Sequence, residues 1–298
     1  KKYPTNKIAK EQHKTIKIER QPVKLPYSLM SMDKIKPDTK SLEKYKTKYN
    51  GPYVISDKLD GISALYSSEN GKQKMYTRGN GFIGQSIDHL IEYFTLPKQE
   101  NITIRGEIII KKDTFLEKYS KQYANSRNFV AGIVNNKKIT EQFIDAIKDI
   151  DFVIYELINP PNLKPSQQFE YLSKITPRLN IVVNKTVDHE DLRNEFLSKT
   201  LLERRESSVY TIDGIIVNDD NIYPRQNKNP EHAFAFKMVL SEQEAESQVV
   251  DIIWTASKDG LLKPRIKINP VVIGGTQINY ATGFNAKFIV DNNIGLGT

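Results

Sequence analysis

The stretch SDKLDGISALYSSENG, residues 56–71, decides the fold of this chain. It contains two runs of the length of a β-strand, separated by Asp60 and Gly61 and closed by an Asn-Gly pair at 70–71. Runs bounded by Asp-Gly and Asn-Gly pairs predict antiparallel strands joined by tight turns. Lys58 stands near the end of the first strand, so the sequence places a basic side chain where the strand meets a turn.

Further short strands bounded by turn residues follow this stretch. Further strands are predicted for KQKMYTRG (72–79), ITIRGEIII (102–110) and DFVIYELI (151–158). Helical spacing of apolar residues predicts helices at Thr39–Tyr49, Thr114–Lys121, Thr140–Lys148 and Asp188–Arg204, with Thr140 as an N-cap. Strands outnumber helices and do not alternate with them, so the predicted class is α+β, with antiparallel sheets and flanking helices.

Composition divides the chain into three parts. Residues 1–26 are polar, basic and interrupted by proline, which predicts an N-terminal arm without a core. Residues 27–243 form the main α+β domain. After the polar segment SEQEAESQ, residues 244–298 read as short strands with Gly turns, which predicts a small β domain. Its length is below that of a full five-stranded barrel, so we expect it to be incomplete.

Charge and residue usage restrict the function classes. The 298 residues include 44 Lys and Arg against 36 Asp and Glu, a net charge of +8 that favours a polyanionic partner. The absence of cysteine excludes disulfides, thiolate catalysis and Cys-ligated zinc, and the 4 histidines are scattered. No apolar run reaches the roughly 20 residues of a membrane span, and no signal peptide is evident. We therefore expect no membrane partner and an intracellular location, cytoplasmic or nuclear.

The candidate chemistry centres on the string Lys58-Leu59-Asp60-Gly61. By itself this string is also typical of a surface hairpin. Basic and acidic residues recur within or at the ends of other predicted strands, where one sheet could bring them together. They are Arg78, Arg105, Glu107, Asp213 and Lys237. Several cations with a few carboxylates suit phosphoryl or nucleotidyl transfer, because charge develops on phosphate oxygens. A lysine can itself be the nucleophile when its amine is neutral.

Each candidate also has a purely structural interpretation. Arg78 precedes a Gly-Asn-Gly turn and could be a solvated hairpin residue. Tyr155 lies in an apolar strand and could belong to the core, and Arg205 near a helix C-terminus could complement the helix dipole. Glu107 is harder to explain in this way, because a carboxylate inside the apolar run IRGEIII needs a partner.

Taken in order, the motifs resemble those of one known family. They cover residues 28–298 and resemble the adenylation and oligonucleotide-binding (OB) domains of bacterial-type NAD-dependent DNA ligases. The order of the blocks makes the resemblance specific. The blocks are SDKLDGISALYSSENG, YTRGNGFIGQSI, IRGEIII, YANSRNFVAG, IDGIIV, AFAFKMV, WTASKDGLLKPRIKINPV and NYATGFN.

The resemblance implies a fold and an activity. The fold is a nucleotidyltransferase domain of the ATP-grasp-like ligase type followed by an OB domain. The activity is sealing of 5′-phosphate/3′-hydroxyl nicks in duplex DNA, in replication or repair. In it Lys58 attacks the α-phosphate of a nucleotide and holds AMP through a P–N bond. NAD is the implied AMP donor, magnesium the implied metal, nicked duplex DNA the partner and a monomer the expected state.

The resemblance also assigns residues. The implied catalytic residues are Lys58, Asp60, Arg78, Glu107, Arg127, Arg205, Asp213 and Lys237. The implied nucleotide-binding residues are Ser31, Met32, Asp57, Gly61, Glu107, Tyr155 and Lys237, with Tyr155 stacking on adenine. Glu107 and Asp213 are the implied metal ligands. In the small β domain, the cations Lys258, Lys263, Arg265 and Lys267 lie on or near a strand in which cations alternate with apolar residues, so one face is expected to bind DNA.

Departures from the family pattern keep alternatives open. Ser56 stands where an acidic residue is usual, Asn218 where a lysine is usual, and Asn135 where an arginine is usual. The arm at 1–26 is too short and polar to grip the nicotinamide half of NAD. The alternatives are an ATP-dependent DNA or RNA ligase, a related lysine nucleotidyltransferase, or a non-catalytic DNA-binding module. Abundant Lys, Asn and Ile suggest an A+T-rich genome, such as that of a phage or large DNA virus. For a viral protein, a viral factory is a further expected location.

Overall fold

The computed structural model describes residues 16–17, 22–37, 39–136, 138–176, 178–238, 244–257, 260–273 and 276–298. The chain divides into two compact units, Lys1–Met238 and Val239–Thr298. Both are built mainly from antiparallel strands, and most of the helices flank the sheets of the first unit. The predicted α+β class is therefore correct.

The strands have the following bounds. They are β1 Ile16–Lys17, β2 Pro22–Lys24, β3 Asp33–Ile35, β4 Tyr53–Leu59, β5 Ile62–Ser67, β6 Lys74–Thr77, β7 Ile83–Gln85, β8 Thr103–Ile110, β9 Lys138–Ile139, β10 Ile150–Asn159, β11 Asn184–Val187, β12 Ile212–Asp219, β13 Ala233–Phe236, β14 Val249–Ala256, β15 Leu262–Ile273 and β16 Thr276–Thr282.

The α-helices are α1 Ser41–Lys48, α2 Lys112–Lys118, α3 Ser126–Val134, α4 Glu141–Lys148, α5 Pro165–Ile175, α6 Asn194–Ser207 and α7 Ala286–Asp291. Short 3₁₀ turns cover Glu69–Gly71 and Asp88–Tyr93. The Thr140 N-cap is confirmed, because its side chain accepts a hydrogen bond from Phe143 N. Helices α3, α5 and α7 were not predicted. The Asn125 and Asn285 side chains cap α3 and α7, and α5 begins at a proline in the first turn, where its missing N–H is harmless.

Two sheets organise the first unit. One has the strand order β11-β4-β12-β13-β3, with only the β13-β3 pair parallel, and the other has the order β10-β8-β5-β6. Each sheet buries its own apolar cluster. The strands β4 and β8 are buried along almost their whole length, which explains why their sequences show little alternation.

The turn at Asp60 and Gly61 does not close the predicted hairpin. It carries the chain from the first sheet, which contains β4, to the second, which contains β5. Gly61 lies so close to β8 that an added Cβ would meet the Ile108 carbonyl oxygen at 2.2 Å. By contrast, the Asn-Gly turn at 70–71 does join a hairpin, because β5 pairs directly with β6.

The end of the predicted arm is part of the first unit. β2 pairs with β7, Leu25 is buried, and Leu25 N donates a hydrogen bond to Phe82 O. β1 pairs with β9. The alternation of Val23 and Leu25 with polar residues is enough for a short edge strand, so the structure departs from the predicted boundary at residue 26.

The second unit is a three-stranded antiparallel sheet of order β14-β15-β16 with helix α7. Its small core contains Val249, Ile266 and Ile289. A complete OB-fold has five strands, so the OB assignment of this unit stays a prediction. None of the helices that the structure describes, in either unit, is long and apolar enough to cross a membrane.

Candidate active site

A cavity of about 980 Å³ in the first unit collects most of the predicted site residues. Its walls come from strands of both sheets and from the segments around residues 30 and 225. Gly61 and Arg205 are the predicted residues of this unit that are not on its wall. Those that line it are Ser31, Met32, Asp57, Lys58, Asp60, Arg78, Glu107, Arg127, Tyr155, Asp213 and Lys237.

Lys58 and Lys237 share one carboxylate. Lys58 Nζ lies 2.7 Å from Asp213 Oδ2, and Lys237 Nζ hydrogen-bonds to the same oxygen. The three side chains are 29%, 26% and 32% exposed for Lys58, Lys237 and Asp213, so each is reachable from solvent while largely enclosed.

Strand register explains how these residues meet. Lys58 is the cross-strand neighbour of Gly214 on β12, and Lys237 follows the end of β13 on the other side of Gly214. A side chain at Gly214 would meet the Phe236 carbonyl oxygen at 2.4 Å and Lys237 Cγ at 3.2 Å. The glycine therefore lets the two lysines approach Asp213 from both sides.

The environment of Asp213 favours its charged form. Burial alone would raise its pKa, but hydrogen bonds from Lys237 and Lys58 and their positive charges outweigh burial and lower the pKa. Asp213 therefore fixes both amines as a carboxylate, and each lysine loses a partner when this residue is neutralised.

For Glu107, burial outweighs the neighbouring positive charges, so its pKa is raised. It is 8% exposed and accepts a hydrogen bond from Gly61 N at 3.2 Å. Burial raises the pKa of Glu107 to about 7, despite the opposing charges of Lys58 and Arg127. The carboxylate that the sequence required to have a partner therefore has backbone and cationic neighbours, and it titrates near neutral pH.

Two further cations on the cavity wall, Arg127 and Arg78, each contact a neighbouring side chain. Arg127 Nη1 lies 2.9 Å from Asp60 Oδ1, which ties the start of α3 to the turn after the nucleophile candidate. Arg78 Nη1 donates to Ser31 Oγ at 2.8 Å, so these two predicted site residues are in contact. Both residues line the cavity, and a guanidinium group is a side chain that can pair with two phosphate oxygens at once.

Tyr155 and an arginine that was not assigned form one wall. Tyr155 OH lies 2.7 Å from Ser63 Oγ, and the Arg105 guanidinium lies 5.6 Å from the Tyr155 ring centroid. Arg105 also donates to Met30 O at 3.2 Å from both terminal nitrogens. Strand alternation could have identified Arg105, because it stands two residues before Glu107 and so faces the same side of β8.

Asp57, predicted to contact the nucleotide, is engaged elsewhere. Arg204 donates to both of its carboxylate oxygens, with the shortest contact 2.7 Å from Nη2 to Oδ2. The Asp57 side chain is only 4% exposed. Its carboxylate joins β4 to α6, and both of its oxygens are bonded to Arg204.

Arg205 and Gly61 lie off the cavity wall for different reasons. The Arg205 guanidinium turns towards backbone carbonyls, Ile212 O at 3.4 Å and Met238 O at 3.5 Å. Burial lowers the pKa of Arg205, and the charge of Asp213 opposes that effect. Gly61 supports the site through its N–H bond to Glu107, as described above.

The predicted magnesium ligands do not form a metal site by themselves. No group of three or more His, Asp or Glu that could hold a metal ion occurs in the described part of the chain. The oxygen of Asp213 that faces the lysines is occupied by both amines, and Glu107 is bonded to Gly61. The side chains present therefore offer no preformed cage for Mg²⁺.

The cations predicted to bind DNA lie in the second unit. Lys263, Arg265 and Lys267 are exposed at alternate positions of β15, while Pro264 and Ile266 between them are buried. The Arg265 guanidinium lies 3.9 Å from the Tyr280 ring centroid. Lys258, the remaining residue of this set, lies outside the described residues.

Comparison with known proteins identifies the type of site. Residues 27–240 match the family model described as the NAD-dependent DNA ligase adenylation domain. A DNA ligase of Acanthamoeba polyphaga mimivirus is 44% identical over 282 residues, covering 92% of this chain and 43% of that protein. A putative DNA ligase, 205R, of Invertebrate iridescent virus 6 is 37% identical over 279 residues, covering 92% of this chain and 45% of that protein.

A bacterial relative and a solved structure extend the comparison. A DNA ligase of Lactobacillus acidophilus is 28% identical over 267 residues, covering 82% of this chain and 39% of that protein. The solved structure titled Pmar-Lig_PreS3 shares the fold, with a TM-score of 0.56 at 15% identity over 89% of this chain and 60% of that one. The chain thus spans less than half of the length of the curated relatives that it matches.

Proposed function

The chain belongs to the family of NAD-dependent DNA ligase adenylation domains, and on that premise we propose that it carries the nucleotide-transferring site of a DNA ligase. The proposed reaction seals 5′-phosphate/3′-hydroxyl nicks in duplex DNA through AMP bound covalently to Lys58. The observation that carries the proposal is the position of Lys58 Nζ, 2.7 Å from Asp213 Oδ2 on a cavity wall shared with Lys237.

The first step follows from this geometry. Lys58 Nζ attacks the α-phosphorus of the donor, the new P–N bond forms, and the P–O bond to nicotinamide mononucleotide breaks. Lys58 needs a neutral amine to attack, and Asp213 Oδ2, already hydrogen-bonded to Nζ, would pass the ammonium proton on to solvent. A second proton leaves the nitrogen for solvent as the P–N bond forms, so Asp213 stays a carboxylate between the two lysines. Lys237 and Arg127 line the same cavity and meet the charge that develops on the phosphate oxygens.

NAD is the proposed donor because the matching family is NAD-dependent. Tyr155, with Leu157 beside it on β10, supplies an aromatic and apolar wall for the adenine ring. The proposed magnesium would arrive on the donor phosphates, as Mg²⁺ commonly binds one or two carboxylates together with substrate phosphates. When bound, it would shield phosphate charge.

The later steps use the bound nucleotide. AMP passes from Lys58 to the 5′-phosphate of the nick, and the 3′-hydroxyl then attacks that phosphate and releases AMP. The exposed cations of β15 are the proposed contacts with the DNA backbone. We propose that the enzyme acts inside the cell as a monomer on nicked duplex DNA.

Intact-mass spectrometry tests the proposal. The purified chain is incubated with NAD or with ATP and magnesium, and the covalent nucleotide is located by peptide mapping. We expect AMP on Lys58 with NAD and none on the Lys58→Ala variant. Lys58→Ala should still seal a nick supplied already adenylated, because the nucleophile is needed only to load AMP.

A matched variant controls for surface lysines. Lys72→Ala removes an exposed lysine that does not line the cavity and should label as the wild type does. AMP on Lys58→Ala would refute the assignment of the nucleophile. Labelling by ATP and not by NAD would refute the donor and favour an ATP-dependent ligase.

A further inference from the structure

Along the five-stranded sheet, the residues that line the cavity change from charged to neutral polar side chains. Lys58 and Lys237 flank Gly214 at one end. Ser56 lies two residues back from Lys58, about 7 Å along β4, and Asn218 lies four residues beyond Gly214, about 13 Å along β12 in the same direction. Both line the cavity. A nucleotide with its α-phosphorus at Lys58 Nζ and its base along this stretch of the wall would meet Ser56 and Asn218.

Ser56 and Asn218 offer unused hydrogen-bonding groups. Their backbones belong to the β4-β12 ladder, where Ser56 faces Ile216 and Asn218 faces Val54. Neither side chain has a hydrogen-bond partner among the described residues. Polar groups on an enclosed wall are usually paired, so this hydroxyl and this amide are available to a bound base.

Ser56 and its successive cross-strand neighbours in the five-stranded sheet include no carboxylate. Ser56, Ile216, Ala235 and Lys34 follow one another across β4, β12, β13 and β3, and all line the cavity. Lys34 lies three strands from Ser56, about 14 Å across the sheet, and a serine hydroxyl can rotate to donate or accept. The carboxylate of neighbouring Asp57 is held by Arg204 and does not take part.

The amide of Asn218 determines which bases fit. Adenine presents an amino donor beside a ring-nitrogen acceptor, whereas hypoxanthine presents a carbonyl acceptor beside an N–H donor. An asparagine carries a donor and an acceptor and can pair with either pattern by turning over. A lysine at this position, as in the family pattern, donates only and would oppose the N–H of hypoxanthine.

We propose that the end of the cavity lined by Ser56 and Asn218 accepts adenine and hypoxanthine alike. Both NAD and nicotinamide hypoxanthine dinucleotide would then serve as donors. The inference rests on the proposed function, because it places a donor with its α-phosphate at Lys58. Asn218 is the residue that sets this tolerance, and Ser56 adapts to either base.

The wild-type protein provides the first test. Transfer of nucleotide to Lys58 is followed by intact mass at varied concentrations of NAD and of nicotinamide hypoxanthine dinucleotide. We expect the kcat/KM values to differ by less than about tenfold, which corresponds to about 1.4 kcal/mol. A larger preference for NAD overturns this inference and leaves the proposed function intact. Absence of labelling by both dinucleotides overturns the proposed function itself.

Variants at Asn218 provide the second test. Asn218→Lys should increase the preference for NAD by about tenfold or more, since the added donor fits only adenine. Asn218→Ala removes the amide for both bases, so it should lower both rates and keep their ratio. Gln122→Lys adds the same charge at an exposed amide outside the cavity and should leave the ratio at the wild-type value. An unchanged ratio in Asn218→Lys overturns the inference.

Discussion

The cavity of the first unit and strand β15 of the second unit are both rich in cations, but they hold those cations differently. In the cavity, Lys58 and Lys237 are bonded to one carboxylate and Arg127 to another. On β15, Lys263 and Arg265 are exposed and form no ion pair among the residues that the structure describes. The first arrangement fixes geometry, and the second provides positive charge that salt can screen.

This difference separates the two kinds of work that the chain is proposed to do. Chemistry at phosphorus needs side chains held within a fraction of an ångström, and enclosed ion pairs supply that. Contact with a regular DNA backbone needs only cations on one face at the right spacing. Perturbing the first region should therefore cost stability and activity, whereas perturbing the second should change mainly the salt dependence of binding.

The largest expected effect comes from breaking the ion pair between Asp57 and Arg204, which joins β4, the strand of Lys58, to α6. Arg204→Leu leaves the 4% exposed carboxylate of Asp57 without its partner. Because Arg204 is partly exposed, we expect a loss of roughly 2–3 kcal/mol, below the value for a fully buried pair. This corresponds to a fall in Tm of about 5–10 °C for a unit of this size, measured by thermal unfolding.

Two comparisons sharpen this prediction. Replacing Asp57 by Asn as well should recover part of the loss, because the uncompensated charge is then gone. Lys174→Ala breaks an exposed i,i+4 pair with Glu170 and should shift Tm far less. If Arg204→Leu and Lys174→Ala shift Tm equally, the pair beside Lys58 does not anchor β4.

A smaller effect is expected on the pH dependence of stability. The pKa of Glu107 is raised to about 7, whereas its ordinary value is 4.5, so the native state keeps a proton that the unfolded state releases between these values. Stability should therefore fall as pH rises from 5 to 8, by an amount of about 1–3 kcal/mol. Glu107→Gln keeps an acceptor for Gly61 N and should flatten this fall, measured by urea unfolding.

An exposed carboxylate controls for the general effect of charge. Glu206→Gln removes a carboxylate at the surface of α6 and should leave the pH dependence at the wild-type slope. Equal slopes for the wild type and Glu107→Gln would show that Glu107 does not titrate in this range.

The smallest expected effect concerns β15. Replacing Lys263 and Arg265 by Gln removes two exposed cations and keeps side chains that can pack. If both contact phosphates, the slope of log K against log salt for nicked duplex DNA should become shallower by about 1.8. Fluorescence anisotropy at several salt concentrations measures it.

A control double variant removes the same number of positive charges from another part of the surface. Lys40→Gln with Lys44→Gln neutralises two exposed lysines near α1 and should leave the slope close to that of the wild type. A slope that changes equally in both double variants would assign the effect to net charge, and no specific DNA contact on β15 would then be needed.

The sequence alone determined the class of the fold, five strands of the first unit, and several of the residues that line the cavity. Periodicity and turn residues are local properties, so the β5-β6 hairpin and the Thr140 cap followed from short segments. The motif order indicated the family to which the chain belongs. Glu107 could be singled out early, because a charge inside an apolar strand requires a partner wherever that strand lies.

The tertiary structure decided which of these residues meet. Asp213 binds both lysines only because register places Gly214 between them. Asp57 pairs with Arg204, which is distant in sequence, and Arg205 beside it turns to backbone carbonyls instead of the cavity. The direction of a side chain at a helix end depends on what packs against that helix, and local sequence carries no record of contacts between distant segments.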